Sequence, residues 1–155
     1  MGWPGHLRKR YSKTVVMLIA MGASRADAED ATQEAMIAAL KNWGAIDEPS
    51  AWLRTVAFRS FWRLARSQRP AQSLDESGPE RAGDIDPSGS TEQRQWVLDL
   101  LRTLPPEQRK VVALLTDGAT CPEIAALTGK SPGTVRSLLR HARKTLKELM
   151  ESGES

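Results

Sequence analysis

A chain of 155 residues has room for one ordinary domain or two very small ones, and with 40% hydrophobic but only 5% aromatic residues its balance suits small helical bundles better than a sheet. The one cysteine, Cys121, excludes an internal disulfide and a cysteine-rich zinc site, and fits a reduced, cytoplasmic setting. A net charge of +3 conceals a division: residues 1–70 carry 11 Lys/Arg against 6 Asp/Glu (+5), residues 71–92 carry 1 against 6 (−5), and residues 93–155 carry 10 against 7 (+3). Two basic modules on an acidic connector are expected, and basic modules suit a polyanionic partner.

The first helix is expected over Leu7–Met21, with Leu7, Tyr11, Val15, Leu18 and Ile19 inward and Gly22 ending it. Its run Val15–Met21 is far too short to span a bilayer, so no membrane insertion is expected. Ser24 and Asp27 outline a capping box for a second helix reaching about Trp43. Ala28, Ala31, Ala35, Ala39 and Leu40 form its expected packing side. Another side carries Asp30, Gln33, Glu34, Ile37 and Lys41. An acidic, amide-bearing face around one Ile, in a basic module, fits a protein partner with cationic helices rather than DNA.

Residues 42–49 read as a loop punctuated by Gly44 and Pro49, with Asp47 and Glu48 adding charge. Ser50 is the expected cap of a third helix running to about Gln68, with Leu53, Val56, Ala57, Phe61 and Leu64 as its buried stripe. Arg59, Arg63 and Arg66 recur at helical spacing on another side, with Trp62 beside them and Arg54 and Arg69 near the ends. Arginines interleaved with an indole can hold phosphates and stack on an unpaired base, worth about 1–3 kcal/mol per base. Trp43 and Trp52 flank the loop and are read equally as core or as stacking platform. Residues 70–92 hold three Pro, three Gly and several Ser without apolar periodicity, a flexible acidic linker.

Helix resumes over Gln93–Thr103, with Trp96, Val97, Leu100, Leu101 and Leu104 as its stripe. Pro105, Pro106 and Glu107 open the next helix, whose core side is Val111, Val112, Leu114 and Leu115. Thr120 and Glu123 make a capping box around Pro122, and that short helix stops at Gly129. Ser131 caps a last helix with Pro132 at its first position. Val135, Leu138, Leu139, Ala142, Leu146 and Leu149 form one apolar stripe, while Arg136, Arg140, Arg143, Lys144 and Lys147 fall off it. Helix, glycine turn and cationic helix make a helix-turn-helix, whose second helix enters the DNA major groove. The fold class is therefore all-α: two small helical domains, residues 1–69 and 93–150, the second a four-helix unit. His6 and His141 stand alone, and neither a Gly-rich phosphate loop nor a nucleophile–base spacing is present. No enzymatic activity, cofactor or metal is expected.

Three segments carry a family resemblance. Asp27-Ala-Glu-Asp-Ala-Thr-Gln-Glu-Ala35 resembles the region 2.2 signature of bacterial sigma factors of the extracytoplasmic-function group. Pro49-Ser-Ala-Trp-Leu-Arg-Thr-Val-Ala57 and the arginine helix after it resemble regions 2.3 and 2.4. Leu104-Pro-Pro-Glu-Gln-Arg109, Glu123-Ile-Ala-Ala-Leu-Thr-Gly129 and Ser131-Pro-Gly-Thr-Val-Arg-Ser137 resemble region 4. The segments lie in order and cover most of the chain outside the linker and the extreme ends. The chain departs from the pattern where Arg59 and Arg63 stand in place of the frequent Asn and Asp of region 2.4.

The resemblance implies a two-domain protein that binds core RNA polymerase and directs promoter-specific initiation. It implies that Asp30, Gln33, Glu34 and Ile37 dock on the β′ coiled coil, and that region 4 meets the β flap. It implies a −10 set of Trp43, Asp47, Trp52, Arg59, Trp62, Arg63 and Arg66. It implies a −35 set of Ser131, Thr134, Arg136, Ser137, Arg140, Arg143 and Lys144. An anti-sigma factor wedged between the modules is a further partner it implies. The rival reading, a stand-alone helix-turn-helix regulator, leaves the acidic face of the second helix and the arginine–tryptophan helix without a job.

Overall fold

A computed structural model describes residues 3–68 and 91–153, and every described element is helical. The first module is α1 (Trp3–Ala20), α2 (Arg25–Lys41), a 3₁₀ turn (Trp43–Ala45) and α3 (Pro49–Gln68). The second is α4 (Thr91–Arg102), α5 (Pro106–Thr116), α6 (Cys121–Thr128) and α7 (Pro132–Gly153). Most of the acidic connector, residues 70–92 by the sequence reading, lies outside the described residues.

Local chemistry sets most boundaries. The α1–α2 turn places Gly22 at φ 115°, a left-handed conformation that favours glycine. Ser24 Oγ then accepts from the Asp27 amide at 3.1 Å, capping α2. Ala28, Ala31, Ala35 and Ala39 are buried along α2, and their small side chains let it pack closely on α1 and α3. Val15, Leu18, Leu53 and Phe61 fill the first core. In the second module α7 packs on α5 and α6, closing over Val111, Leu114, Ile124, Val135 and Ala142. The Thr120–Glu123 capping box closes in both directions, at 3.2 Å and 2.7 Å, and Gly129 ends α6 at φ 74°.

Several expectations need correction. The first helix begins at Trp3 rather than Leu7, because Pro4 falls in the first turn where its missing N–H costs nothing. Ser50 is not a cap: α3 begins at Pro49, whose fixed φ already suits a first helical position. Leu40 is 61% exposed, and Thr32 takes its place in the packing stripe, its hydroxyl donating to the Ala28 carbonyl at 2.7 Å. The reason is angular: Leu40 sits one turn beyond Ile37, on the outward side of α2. The described helix α4 starts at Thr91, two residues before the expected Gln93, and its inward residues are Leu98 and Leu101. Trp96, at 53% exposure, and Val97 point outward, because α4 lays only one narrow face against α1. Leu115 is also exposed, at the rim of a groove it shares with Val112, Leu139, Leu146 and Met150.

The two modules touch. Helix α1 packs on α4 and α5, and α3 meets α6, so the buried apolar side chains of both modules join one continuous cluster.

Candidate nucleic-acid and polymerase interfaces

Three surfaces follow from the helix faces. On α2, Asp30, Gln33, Glu34 and Ile37 are all exposed, as the helical spacing required. Ile37 is 54% exposed, and Leu40 one turn on extends its apolar patch. Leu40 was missed by sequence reasoning, although its i+3 offset from Ile37 was a usable signal. Gln33 donates its amide to the Tyr11 hydroxyl at 3.3 Å, and a groove of about 550 Å³ between α1 and α2 runs beside it, lined by Leu7, Tyr11, Met36 and Ile37. Glu34 is engaged by Arg63 across the α2–α3 seam. A residue expected to face polymerase and one expected to face DNA therefore neutralise each other in the free chain.

On α3, Arg59, Trp62, Arg63 and Arg66 converge as expected. They line one wall of a cleft of about 660 Å³ whose other wall is Lys110 of α5 with Leu127 and Thr128 of α6. Trp62 packs against Phe58 and Phe61, with ring centroids 6.1 Å and 5.6 Å away. The Lys110 ammonium stands 4.2 Å above its ring, a cation–π contact. Lys110 also donates to Glu107, which Lys130 engages from the far side. The hydrogen bond from Lys130 holds the Glu107 carboxyl below the usual carboxylate range, with the Lys110 charge adding to it and partial burial opposing. Trp43, Asp47 and Trp52 are not brought to this cleft. Trp52 is half-buried against the core, and it lies ten residues before Trp62, roughly 15 Å along the helix axis.

On α7, Thr134, Arg136, Arg140, Arg143 and Lys144 are exposed, while Val135, Leu139 and Ala142 are buried on the opposite side. Ser131 is spent locally: its oxygen accepts from the Thr134 amide at 3.1 Å and its hydroxyl donates to Thr134 Oγ1 at 3.0 Å. It positions the helix start rather than presenting a free hydroxyl. Ser137 is half-buried, and its carbonyl meets His141 Nδ1 at 2.8 Å. The helix N-terminus and four cations share one side, the arrangement a phosphate backbone and a major groove require.

A fourth cluster had no signal in the linear pattern. Asp117, in the α5–α6 turn, accepts at Oδ2 from Arg10 Nη2 of α1 and from Arg54 Nε of α3, each at 2.8 Å. Arg54 also donates to the Asp117 carbonyl at 3.2 Å. Its partners are 63 residues apart in sequence, and those of the Arg10 pair 107.

Residues 7–71 match the family model described as Sigma-70 region 2, and residues 94–146 match Sigma-70, region 4. The RNA polymerase sigma-E factor of Streptomyces avermitilis is 35% identical over 136 residues, which is 81% of this chain and 72% of that protein. The chain belongs to the sigma-70 family, in its extracytoplasmic-function group. As a sigma factor it acts with RNA polymerase to direct transcription initiation. The ECF RNA polymerase sigma factor BldN of Streptomyces coelicolor is 30% identical over 94% of this sigma factor and 60% of its own length. In fold, it is similar to the sigma factor RpoE of Bartonella quintana in complex with the anti-sigma factor NepR, with a TM-score of 0.69, 24% identity and 94% and 93% of the two chains covered. CnrH in complex with the cytosolic domain of CnrY gives a TM-score of 0.58 at 22% identity, covering 96% and 87%. No helix among the described residues is long and apolar enough to cross a membrane.

Proposed function

We propose that this sigma factor divides its work among three faces: α2 grips core polymerase, α3 holds melted −10 DNA, and α7 reads duplex −35 DNA. The observation that carries the reading is the sign of each face. The α2 face exposes Asp30, Gln33, Glu34 and Ile37 with Lys41 at its end, while the α3 and α7 faces expose Arg59, Arg63 and Arg66, and Arg136, Arg140, Arg143 and Lys144. A protein helix of positive charge suits the first, and phosphate backbones suit the others.

Opening DNA costs stacking energy, so a flipped base needs an aromatic or planar cationic wall, which Trp62 flanked by Arg59, Arg63 and Arg66 offers. Duplex DNA keeps its stacking and is read in the major groove. Thr134, Arg136, Ser137 and Arg140 sit on the first turns of α7, where base edges come closest. Arg143 and Lys144 lie farther along and fit phosphates, which set register without reading sequence. The apolar groove between α5 and α7 suits the β flap. The protein works in the cytoplasm, without catalytic activity of its own. An anti-sigma protein is a further partner, of the class bound to the similar sigma factor of Bartonella quintana.

The test is transcription from a promoter library by bacterial core polymerase with and without this protein. Run-off products confined to a promoter subset, and only with the protein present, are expected. Duplex binding by the protein alone with unchanged transcription would instead favour the stand-alone regulator.

A further inference from the structure

The seam between the modules sets a buried ion cluster beside the apolar cluster they share. Asp117, with its side chain 3% exposed, faces two arginines that are nearly as buried, and Glu123 stands 3.9 Å from Arg54 Nη1. Both arginines belong to the first module and both acids to the second. Buried ion pairs roughly offset their own desolvation, so separating them into water, where each ion is rehydrated, costs far less than exposing an apolar face of equal area. The closed seam is also incompletely satisfied: the Nε atom of Arg10 and the Nε1 atom of Trp62 are buried with no hydrogen-bond partner among the described residues. Both would regain water on opening, which narrows the gap between closed and open forms further.

Closure covers one DNA face and spares the other. Lys110 occupies a face of the Trp62 ring, and Leu127 and Thr128 stand opposite Arg59, Arg63 and Arg66. A strand cannot stack on that indole face while α5 stays in place. The cations of α7 remain exposed. We propose that Arg10, Arg54 and Asp117 form an ionic latch that holds the second module over the α3 face, so that the free chain masks its own −10 surface until the latch opens. The latch stands on geometry alone; its masking consequence rests on the role of α3 proposed above.

The full-length chain carries the test, with Cys121→Ser and spin labels placed by Ala26→Cys on α2 and Glu148→Cys on α7. Pulsed electron resonance is expected to give one short distance in this background. Asp117→Asn leaves two buried arginines facing no carboxylate and should shift the closed-to-open ratio on the order of a hundredfold toward longer, broader distances, while Arg54→Gln leaves the Arg10–Asp117 pair and should shift it the same way by a smaller factor. Affinity for a short fluorescein-labelled single-stranded oligonucleotide should rise in step, by at most the same factor. Unchanged distances in variants that keep their helical circular dichroism overturn the latch. If Asp117→Asn disturbs the α5–α6 turn, Arg10→Gln in the other module decides in its place. Longer distances without a gain in oligonucleotide affinity overturn the masking, and with it the strand-holding role of α3, separately from the latch.

Discussion

Single residues carry the least redundant parts of this fold. Gly129 holds φ 74° with open space around the position of a Cβ, so an added methyl meets nothing and the cost of substitution is purely conformational. Gly129→Ala should therefore destabilise the second module by about 1–2 kcal/mol, read as a lower denaturant midpoint with unchanged slope. A negligible change would mean that the α6–α7 turn relaxes out of the left-handed region. Gly118 differs: at φ 109° its Cβ would also meet Arg54 Nη2 at 3.2 Å, so backbone and latch are disturbed together. Glu107 is a titration point. Its carboxyl is held below the ordinary range, so its pairs with Lys130 and Lys110 stabilise the fold at and above that range. The contribution should fade as pH falls through the depressed folded value, and Glu107→Gln should flatten the acid limb of a stability–pH profile. Because Glu107 is largely open to solvent, the effect is small and salt-sensitive.

Whole helices assign the faces. On α2 the acidic residues serve no packing role, since Asp30 and Glu34 are exposed and the core side is alanine and Thr32. Asp30→Lys with Glu34→Lys should cost no more than about 1 kcal/mol of thermal stability, the exposed Glu34–Arg63 pair being lost with them. Polymerase binding, measured by co-elution with core enzyme, should fall by more than tenfold if several close charge pairs are lost. Loss of fold instead would place the pair in the core. On the roles proposed for α7, Arg140 reads and Arg143 anchors. Arg140→Ala should cost about 1–3 kcal/mol on the preferred −35 sequence and relax discrimination at one base position. Arg143→Ala should weaken every duplex alike and lower the salt slope by about one. Competition binding over a set of −35 variants at two salt concentrations distinguishes them, and a uniform loss from Arg140→Ala would demote it to a phosphate contact.

At the scale of the molecule, the buried side chains of both modules form one cluster, joined by the Asp117 ion cluster. The unaltered chain should then unfold in a single calorimetric transition, with van't Hoff and calorimetric enthalpies in agreement. Arg54→Gln removes one arm of the join and should split the transition in two. Two transitions in the unaltered chain would mean that the modules are energetically independent.

What could be read from the linear chain was whatever depends on near neighbours. The capping box of α6, its glycine stop, the stripe of α7 and the cations beside it are all set within a few residues of one another, and all are present in the structure. The convergence of Arg59, Trp62, Arg63 and Arg66 was legible for the same reason, since helical spacing alone places them together. Tertiary packing decided the rest. Helical periodicity says that an apolar stripe will be covered but not by what, which is why Trp96, Val97, Leu115 and Leu40 were assigned inward and lie outward. Arg54 looked like one more cation of the arginine helix, and only its position opposite a carboxylate 63 residues away makes it a buried partner. An ion pair exists in the distance between its members, and distance across a fold is the quantity a sequence does not contain.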